Sequence, residues 1–240
     1  MDNRYYFEKV NADGSITIEG QEHTHLAKVR RAQVGDTIHA ICLDGYDYEL
    51  KIDSIDKSKA VCHIASKEYN ASMDRPNITV YLASIKQDAL KEALDNLTQL
   101  NAKAIVVFES EYSNAKYTND KADKLKNNLI QYAKQCERAD IPNIRFVSFV
   151  DMIDELKQKD INIFAYEDAK ENILGLGIKN YQDKSIAIIV GGEGGFSPKE
   201  VRELDSIAKR VSLGKTILRA PVAVSSLYAI TLALLGKMER

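Results

Sequence analysis

The chain has 240 residues, 45% of them hydrophobic and 28% charged, and a net charge of −2. This is the composition of a globular protein with an ample core, long enough for one large domain or two ordinary ones. Residues 1–72 hold 9 Lys/Arg against 12 Asp/Glu and the remainder 24 against 23, so no global basic field announces a nucleic-acid binder, and RNA contacts would have to come from local patches.

The polar start, Met1-Asp2-Asn3-Arg4, lacks the apolar stretch of a signal peptide, and nothing in it points to export. Tyr5–Val10, Ser15–Glu19, Thr37–Leu43, Tyr48–Ile55 and Ala60–Ser66 read as short strands, with turns at Asp13-Gly14 and Asp44-Gly45. One helix, Glu22–Arg31, interrupts them and carries the basic patch Lys28-Val29-Arg30-Arg31. Several short strands at near-regular spacing predict a small β-barrel. The segment Glu68–Asn77 reads as the junction to a second unit.

Beyond it the rhythm changes. Ile78–Ala83, Ala104–Phe108, Ile144–Ser148, Ile161–Tyr166 and Ser185–Val190 read as strands. Helices are expected at Asp88–Leu100, Ala122–Arg138, Met152–Lys159 and Pro198–Lys209. Alternating strands and helices imply a parallel α/β sheet. The last helix, Val222–Leu235, lies in Ala220–Gly236, which Pro221, Ser225, Ser226 and Thr231 break up; it is too short and polar for a membrane span and reads as core and interface packing. Cys42, Cys62 and Cys136 have neither metal spacing nor a CxxC pair, so reduced, buried thiols of a cytosolic protein are expected, with no metal site.

The most informative segment is Ile189-Val190-Gly191-Gly192-Glu193-Gly194-Gly195-Phe196-Ser197-Pro198-Lys199-Glu200. A buried strand runs into four glycines. A helix start follows: Ser197 at the N-cap, Pro198 in the first turn and Glu200 closing a capping box. Backbone without Cβ atoms lets a ligand approach closely, and ligands of parallel sheets collect at the carboxyl ends of strands. The turn is not a P-loop, because no lysine lies between Gly191 and Pro198, nor does it fit GxGxxG. Glu193 would repel a pyrophosphate and suits a cationic or hydroxyl-bearing ligand.

Three segments read together carry a family resemblance. They are His25-Leu26-x-Lys28-Val29-x-Arg31 with Val34-Gly35-Asp36, the Gly191–Val201 turn, and Leu213-Gly214-Lys215-Thr216-Ile217-Leu218-Arg219. Together with Gln135-x-x-Arg138-x-x-Ile141-Pro142-x-Ile144, they resemble the bacterial RsmE family of SPOUT-class RNA methyltransferases over nearly the whole chain.

The resemblance implies a PUA-like β-barrel for RNA docking over residues 1–72. A SPOUT methyltransferase domain, its parallel sheet tied in a C-terminal trefoil knot, would occupy 73–240. It further implies a cytoplasmic homodimer that uses S-adenosylmethionine to methylate N3 of a uridine in 16S rRNA, within the small ribosomal subunit. Carried over residue by residue, Gly191, Gly192, Glu193, Gly194 and Gly195 hold the cofactor from one side. Leu213, Gly214, Ile217 and Leu218 hold it from the other. Apart from the resemblance, Tyr166 and Glu167 lie just past a strand end, the position from which a residue of a parallel sheet borders a ligand. The bare main chain around Gly194 forms one wall and the Leu218 strand the opposite one. Arg219 is the catalytic candidate, against a surface ion pair as its ordinary role. His25, Lys28, Arg30 and Arg31 are candidate RNA contacts, although a histidine there is as readily structural, and Arg138 faces substrate or pairs with Glu137 or Asp140.

One departure stands out: where the family has Thr-Glu-Thr-Ala after the arginine, this chain has Ala220-Pro221-Val222-Ala223. That keeps open a non-catalytic RNA-binding or ribosome-assembly protein, and because the same cofactor turn serves other SPOUT activities, ribose 2′-O-methylation stays open as well. The target nucleotide and the proton acceptor are not legible in the sequence.

Overall fold

The computed structural model describes residues 4–113, 115–118, 120–181 and 183–238. Met1–Asn3, on which the reading of the N-terminus rests, lie outside them. The chain divides into two compact units, Met1–Asp74 with Ile130–Ile141, and Arg75–Leu129 with Pro142–Arg240.

The first unit is built on five strands: β1 (Tyr5–Tyr6), β2 (Ile16–Glu19), β3 (Thr37–Ile41), β4 (Tyr46–Ile55) and β5 (Lys59–Tyr69). They form one sheet in the order β1-β3-β4-β5-β2. Only β1 with β3 is parallel. Two register shifts between β4 and β5 bend the long hairpin, as bulges do, and the sheet curls into a nearly closed, barrel-like form. Alternation decides the inside. Tyr48, Leu50 and Ile52 of β4 point into a core with Tyr5, Phe7, Ile16, Ile18, Leu26 and Ile38. β1 is shorter than the sequence suggests, because Val10 leaves it to bridge Ile16. β3 stops at Ile41, since Leu43 adopts φ 61°. The helix starts earlier than expected, as α1 (Gly20–Thr24), and widens into a π-turn over His25–Val29.

Residues 130–141 join this unit through specific bonds. Lys134 pairs with Glu22 at 2.5 Å, Gly45 N–H donates to the Ala139 carbonyl at 3.1 Å, and the Asn70 amide donates to the Glu137 carbonyl at 3.0 Å. None of these partners is close in sequence, so a strand–helix reading has no means of finding them.

The second unit alternates as predicted: β6 (Ile78–Ala83), α2 (Gln87–Gln99), β7 (Ala104–Glu109), α3 (Asp120–Gln135, which ends in the first unit), β8 (Asn143–Ser148), α4 (Phe149–Leu156), β9 (Ile161–Ala165), β10 (Ile186–Val190), α5 (Pro198–Asp205), β11 (Lys209–Val211) and α6 (Ala220–Leu234). Six strands, all parallel, lie in the order β11-β9-β10-β6-β7-β8. β6 and β10 are buried at every position, which is why β10 reads as a continuous apolar run and β6 as one broken only by Thr79. The expected helix Pro198–Lys209 ends at Asp205, and Lys209–Val211 pair with β9 instead. Three residues are too few for periodicity to reveal a strand. Of the three thiols only Cys62 is fully buried; Cys42 and Cys136 are half-buried, which corrects the expectation of three buried cysteines. Burial pushes the Cys62 thiol up to about 11.

Candidate functional site

Because β9, β10 and β11 run parallel, their carboxyl ends open on one edge of the sheet. The chain that leaves them lines a single solvent-open cleft with about 580 Å³ of empty volume. Tyr166 and Glu167 enter it from β9, Gly191, Gly192, Gly195 and Phe196 from β10, and Ser212–Gly214 and Thr216–Leu218 from β11. Ala220 and Ala223, one turn apart at the start of α6, complete the wall.

Each loop is held by local chemistry. Gly195 N–H donates to the Gly192 carbonyl at 3.1 Å and closes a tight turn, with Gly195 at φ 67°, a conformation that favours glycine. A side chain on Gly191 would place its Cβ 3.1 Å from the Phe196 ring, so the strand end needs glycine for Phe196 to fold back. That ring is buried, stacked on Phe108 at 6.3 Å and edge-on to Phe164 at 6.1 Å. α5 then starts with the predicted capping box of Ser197 and Glu200.

Glu200 does more than cap. Its buried carboxylate also accepts from Ser110 Oγ at 3.1 Å and Glu111 N–H at 2.8 Å, tying the glycine turn to the loop after β7. Behind the cleft, Tyr166 N–H donates to the Val211 carbonyl at 3.0 Å, and the Arg210 guanidinium lies 5.0 Å from the Tyr166 ring centroid. Gly214 N–H donates to Ser212 Oγ at 3.2 Å and shapes the last loop.

The structure therefore brings Tyr166, Gly191, Gly192, Gly195, Leu213, Gly214, Ile217 and Leu218 together, and it separates two other residues from them. Gly194 turns away: a Cβ there would lie 2.9 Å from Tyr112 Cβ, so its bareness serves packing against the Tyr112 loop. This corrects the expectation that Gly194 forms the cleft wall; Gly191, Gly192 and Gly195 do. Glu193 is exposed and accepts from Lys86 N–H at 3.4 Å, outside the cleft lining. The segment opposite, Leu213–Arg219, is loop and not strand. Arg219 stands between the lining residues Leu218 and Ala220, with its guanidinium exposed and 3.3 Å from Glu92.

Phe196, Ser212 and the small pair Ala220 and Ala223 were not legible as lining. An i, i+3 pair of alanines at a helix start is the only trace the sequence carries of a face kept open. Polar side chains are missing from that turn, yet two of its positions border the cleft with methyl groups.

In the first unit, Lys28, Arg30 and Arg31 are exposed on and just past the π-turn, with Arg30 also donating to the Thr37 carbonyl at 3.1 Å. His25 is half-buried, its Nδ1 3.3 Å from the Tyr5 hydroxyl. Arg138 is 2% exposed and bonded to Asp140 at 2.9 Å. It is a buried ion pair and not a surface facing RNA, because an unpaired guanidinium there would be costly. Among the described residues no group of His, Cys, Asp and Glu is arranged to hold a metal, and no helix is long and apolar enough to cross a membrane.

The chain is similar to known proteins over most of its length. The chain is 28% identical over 245 residues to ribosomal RNA small subunit methyltransferase E of Bacillus subtilis, covering 95% of this chain and 94% of that one. It is 29% identical over 233 residues to the protein of the same name from Rickettsia conorii, covering 95% and 93%. The crystal structure of a ribosomal RNA small subunit methyltransferase E from Neisseria gonorrhoeae bound to S-adenosyl methionine superposes with a TM-score of 0.83 at 19% identity, covering 98% of both chains, which establishes the fold. Residues 73–232, the stretch that contains all three cleft loops, match the RNA methyltransferase domain family, and the chain belongs to that family.

Proposed function

We propose that this protein is an S-adenosylmethionine-dependent methyltransferase that acts on N3 of a uridine in 16S ribosomal RNA. The observation that carries the reading is the convergence of three strand-end loops on one cleft inside the family's own domain. The cleft suits the cofactor. Bare backbone at Gly191, Gly192 and Gly195 offers donors and acceptors at close range, while Ile217, Leu218 and Ala223 give an apolar slot for a flat base. Glu167 supplies a carboxylate for hydroxyls or an ammonium group. When bound, the cofactor supplies an electrophilic methyl group.

The residues of the chain then have two tasks. The first is alignment, with the target nitrogen held in line with the methyl group. The second is charge. Uridine N3 is protonated at neutral pH, so negative charge develops on the uracil carbonyls as its proton passes to solvent water. Arg219, rooted at the cleft rim, stabilises that charge. A guanidinium offers donors and no acceptor, so Arg219 does not act as the base. In the barrel unit Lys28, Arg30 and Arg31 grip phosphates and orient the RNA, with His25 beside them. We further infer the trefoil knot in the segment from β9 to α6, a cytoplasmic location, and a homodimer. The dimer covers Ile217, which borders the cleft and is 87% exposed. A sedimentation mass equal to the single 26.9 kDa chain would remove the dimer from the reading.

The test is mass spectrometry of 16S rRNA nucleosides from a deletion strain complemented with wild type or with Arg219→Ala. The expected result is loss of 3-methyluridine on deletion, recovery with wild type, and no recovery with the variant. Loss of a ribose methyl instead would assign the chain to 2′-O-methylation, and an unchanged profile to a non-catalytic role.

A further inference from the structure

The start of α6 puts a cation where a helix ordinarily carries an acid or a hydroxyl. Arg219 is its N-cap residue, makes no side-chain capping bond, and is followed by a first turn without any acidic residue. The N-terminus is the positive end of the helix dipole, so the guanidinium is electrostatically opposed there. The missing carboxylate comes from another helix. Glu92 of α2 places Oε1 3.3 Å from Arg219 Nη2. α2 is anchored by its buried stripe Leu90, Ala93, Leu94 and Leu97 and packs directly against α6, so Glu92 is offered from a rigid base.

We propose that Glu92 is a positioning residue for methyl transfer. Its carboxylate holds the guanidinium of Arg219, the residue between the lining positions Leu218 and Ala220, in the orientation from which it meets the charge that develops on the target base. This rests on the reading of Arg219 given above. The guanidinium is 73% exposed and Glu92 40%, so the pair supplies little stability. What it supplies is direction: one Nη of a five-donor fork is engaged by the protein, and the other N–H groups remain to point at carbonyl oxygens.

The test compares wild type, Glu92→Ala, Glu92→Asp, Arg219→Ala and the double variant Glu92→Ala/Arg219→Ala. Single-turnover methyl transfer is measured into small ribosomal subunits from cells lacking the enzyme, and S-adenosylmethionine affinity by calorimetry. Glu92→Ala is expected to slow transfer about 10- to 100-fold, the loss a misplaced group brings. Cofactor affinity and melting temperature should hold, Glu92→Asp should recover part of the rate, and the double variant should be no slower than Arg219→Ala, because Glu92 acts through the arginine. A wild-type rate for Glu92→Ala beside an impaired Arg219→Ala overturns the positioning role and leaves Arg219 in place. A wild-type rate for Arg219→Ala overturns the reading of the arginine itself. A Glu92→Ala enzyme faster than wild type would make the pair a restraint, and additive losses would make the two residues independent; either result overturns the proposal.

Discussion

Glu200 offers the sharpest test of how the cleft is held. It is 4% exposed, and its two oxygens accept from Ser197 N–H at 2.8 Å, Glu111 N–H at 2.8 Å and Ser110 Oγ at 3.1 Å. Glu200→Ala strands two backbone donors and a hydroxyl, with Ser197 and Ser110 buried and Glu111 at the edge of the site. Hydrogen bonds to a charged acceptor contribute about 1.5–3 kcal/mol each, and stranding a buried donor removes its desolvation compensation. Allowing for partial relaxation and water entry, the loss is about 3–5 kcal/mol, or roughly 6–20 °C in melting temperature for a domain of this size. Glu200→Gln is no rescue, because the amide retains one acceptor oxygen and turns an NH₂ toward donors on its other side. It should cost about 2–3 kcal/mol. Since Ser197 immediately follows Phe196, both variants should also weaken S-adenosylmethionine binding. Urea unfolding followed by calorimetric titration measures the two effects. Destabilisation below about 1 kcal/mol for Glu200→Ala would refute the claim that this carboxylate is the tie between the glycine turn and the loop after β7.

Two other predictions follow from the geometry. Gly195→Ala forces a side chain into φ 67° at a position with open space, its nearest neighbour Glu167 Oε1 at 3.8 Å. It should cost about 1–2 kcal/mol and weaken cofactor binding, whereas Gly194→Ala should displace the Tyr112 loop and leave cofactor affinity nearly intact; calorimetry giving the reverse order would restore Gly194 to the cleft wall. Glu155 bonds to Arg145 and accepts from the Tyr81 hydroxyl at 2.9 Å, and the Arg145 hydrogen bond is the largest cause holding its carboxyl below the ordinary 4.5. A depressed folded value means the stabilisation is complete above pH 4.5 and is lost as pH falls through the lowered value. The stability gap between wild type and Glu155→Gln, read from urea midpoints, should therefore be widest at neutral pH and shrink toward pH 3; a gap independent of pH would contradict it.

How much of this was legible in the sequence depended on the range of the forces involved. The parallel α/β rhythm, the buried runs of β6 and β10 and the Ser197–Glu200 capping box follow from side chains within a few residues of one another. Local periodicity and capping chemistry therefore announce them. The resemblance carried by Gly191–Val201 and Leu213–Arg219 added the expectation that distant loops share one ligand. What chain order left open was direction and partnership. Nothing near Gly194 in sequence says that its missing Cβ makes room for Tyr112, since that contact is 82 residues away along the chain and forms only when β7 and β10 lie in one sheet. The same holds for Glu92, set beside Arg219 by helix packing across 127 positions, whereas the Arg138–Asp140 pair, two residues apart, was one of the two roles the sequence offered and the fold chose between them by burying the arginine. Sequence by itself determined which segments are stiff, which are bare and which carry charge. The tertiary structure alone decided which of them meet, because the pairings that close the cleft are made by sheet order and helix contact, and neither leaves a periodic trace in the chain.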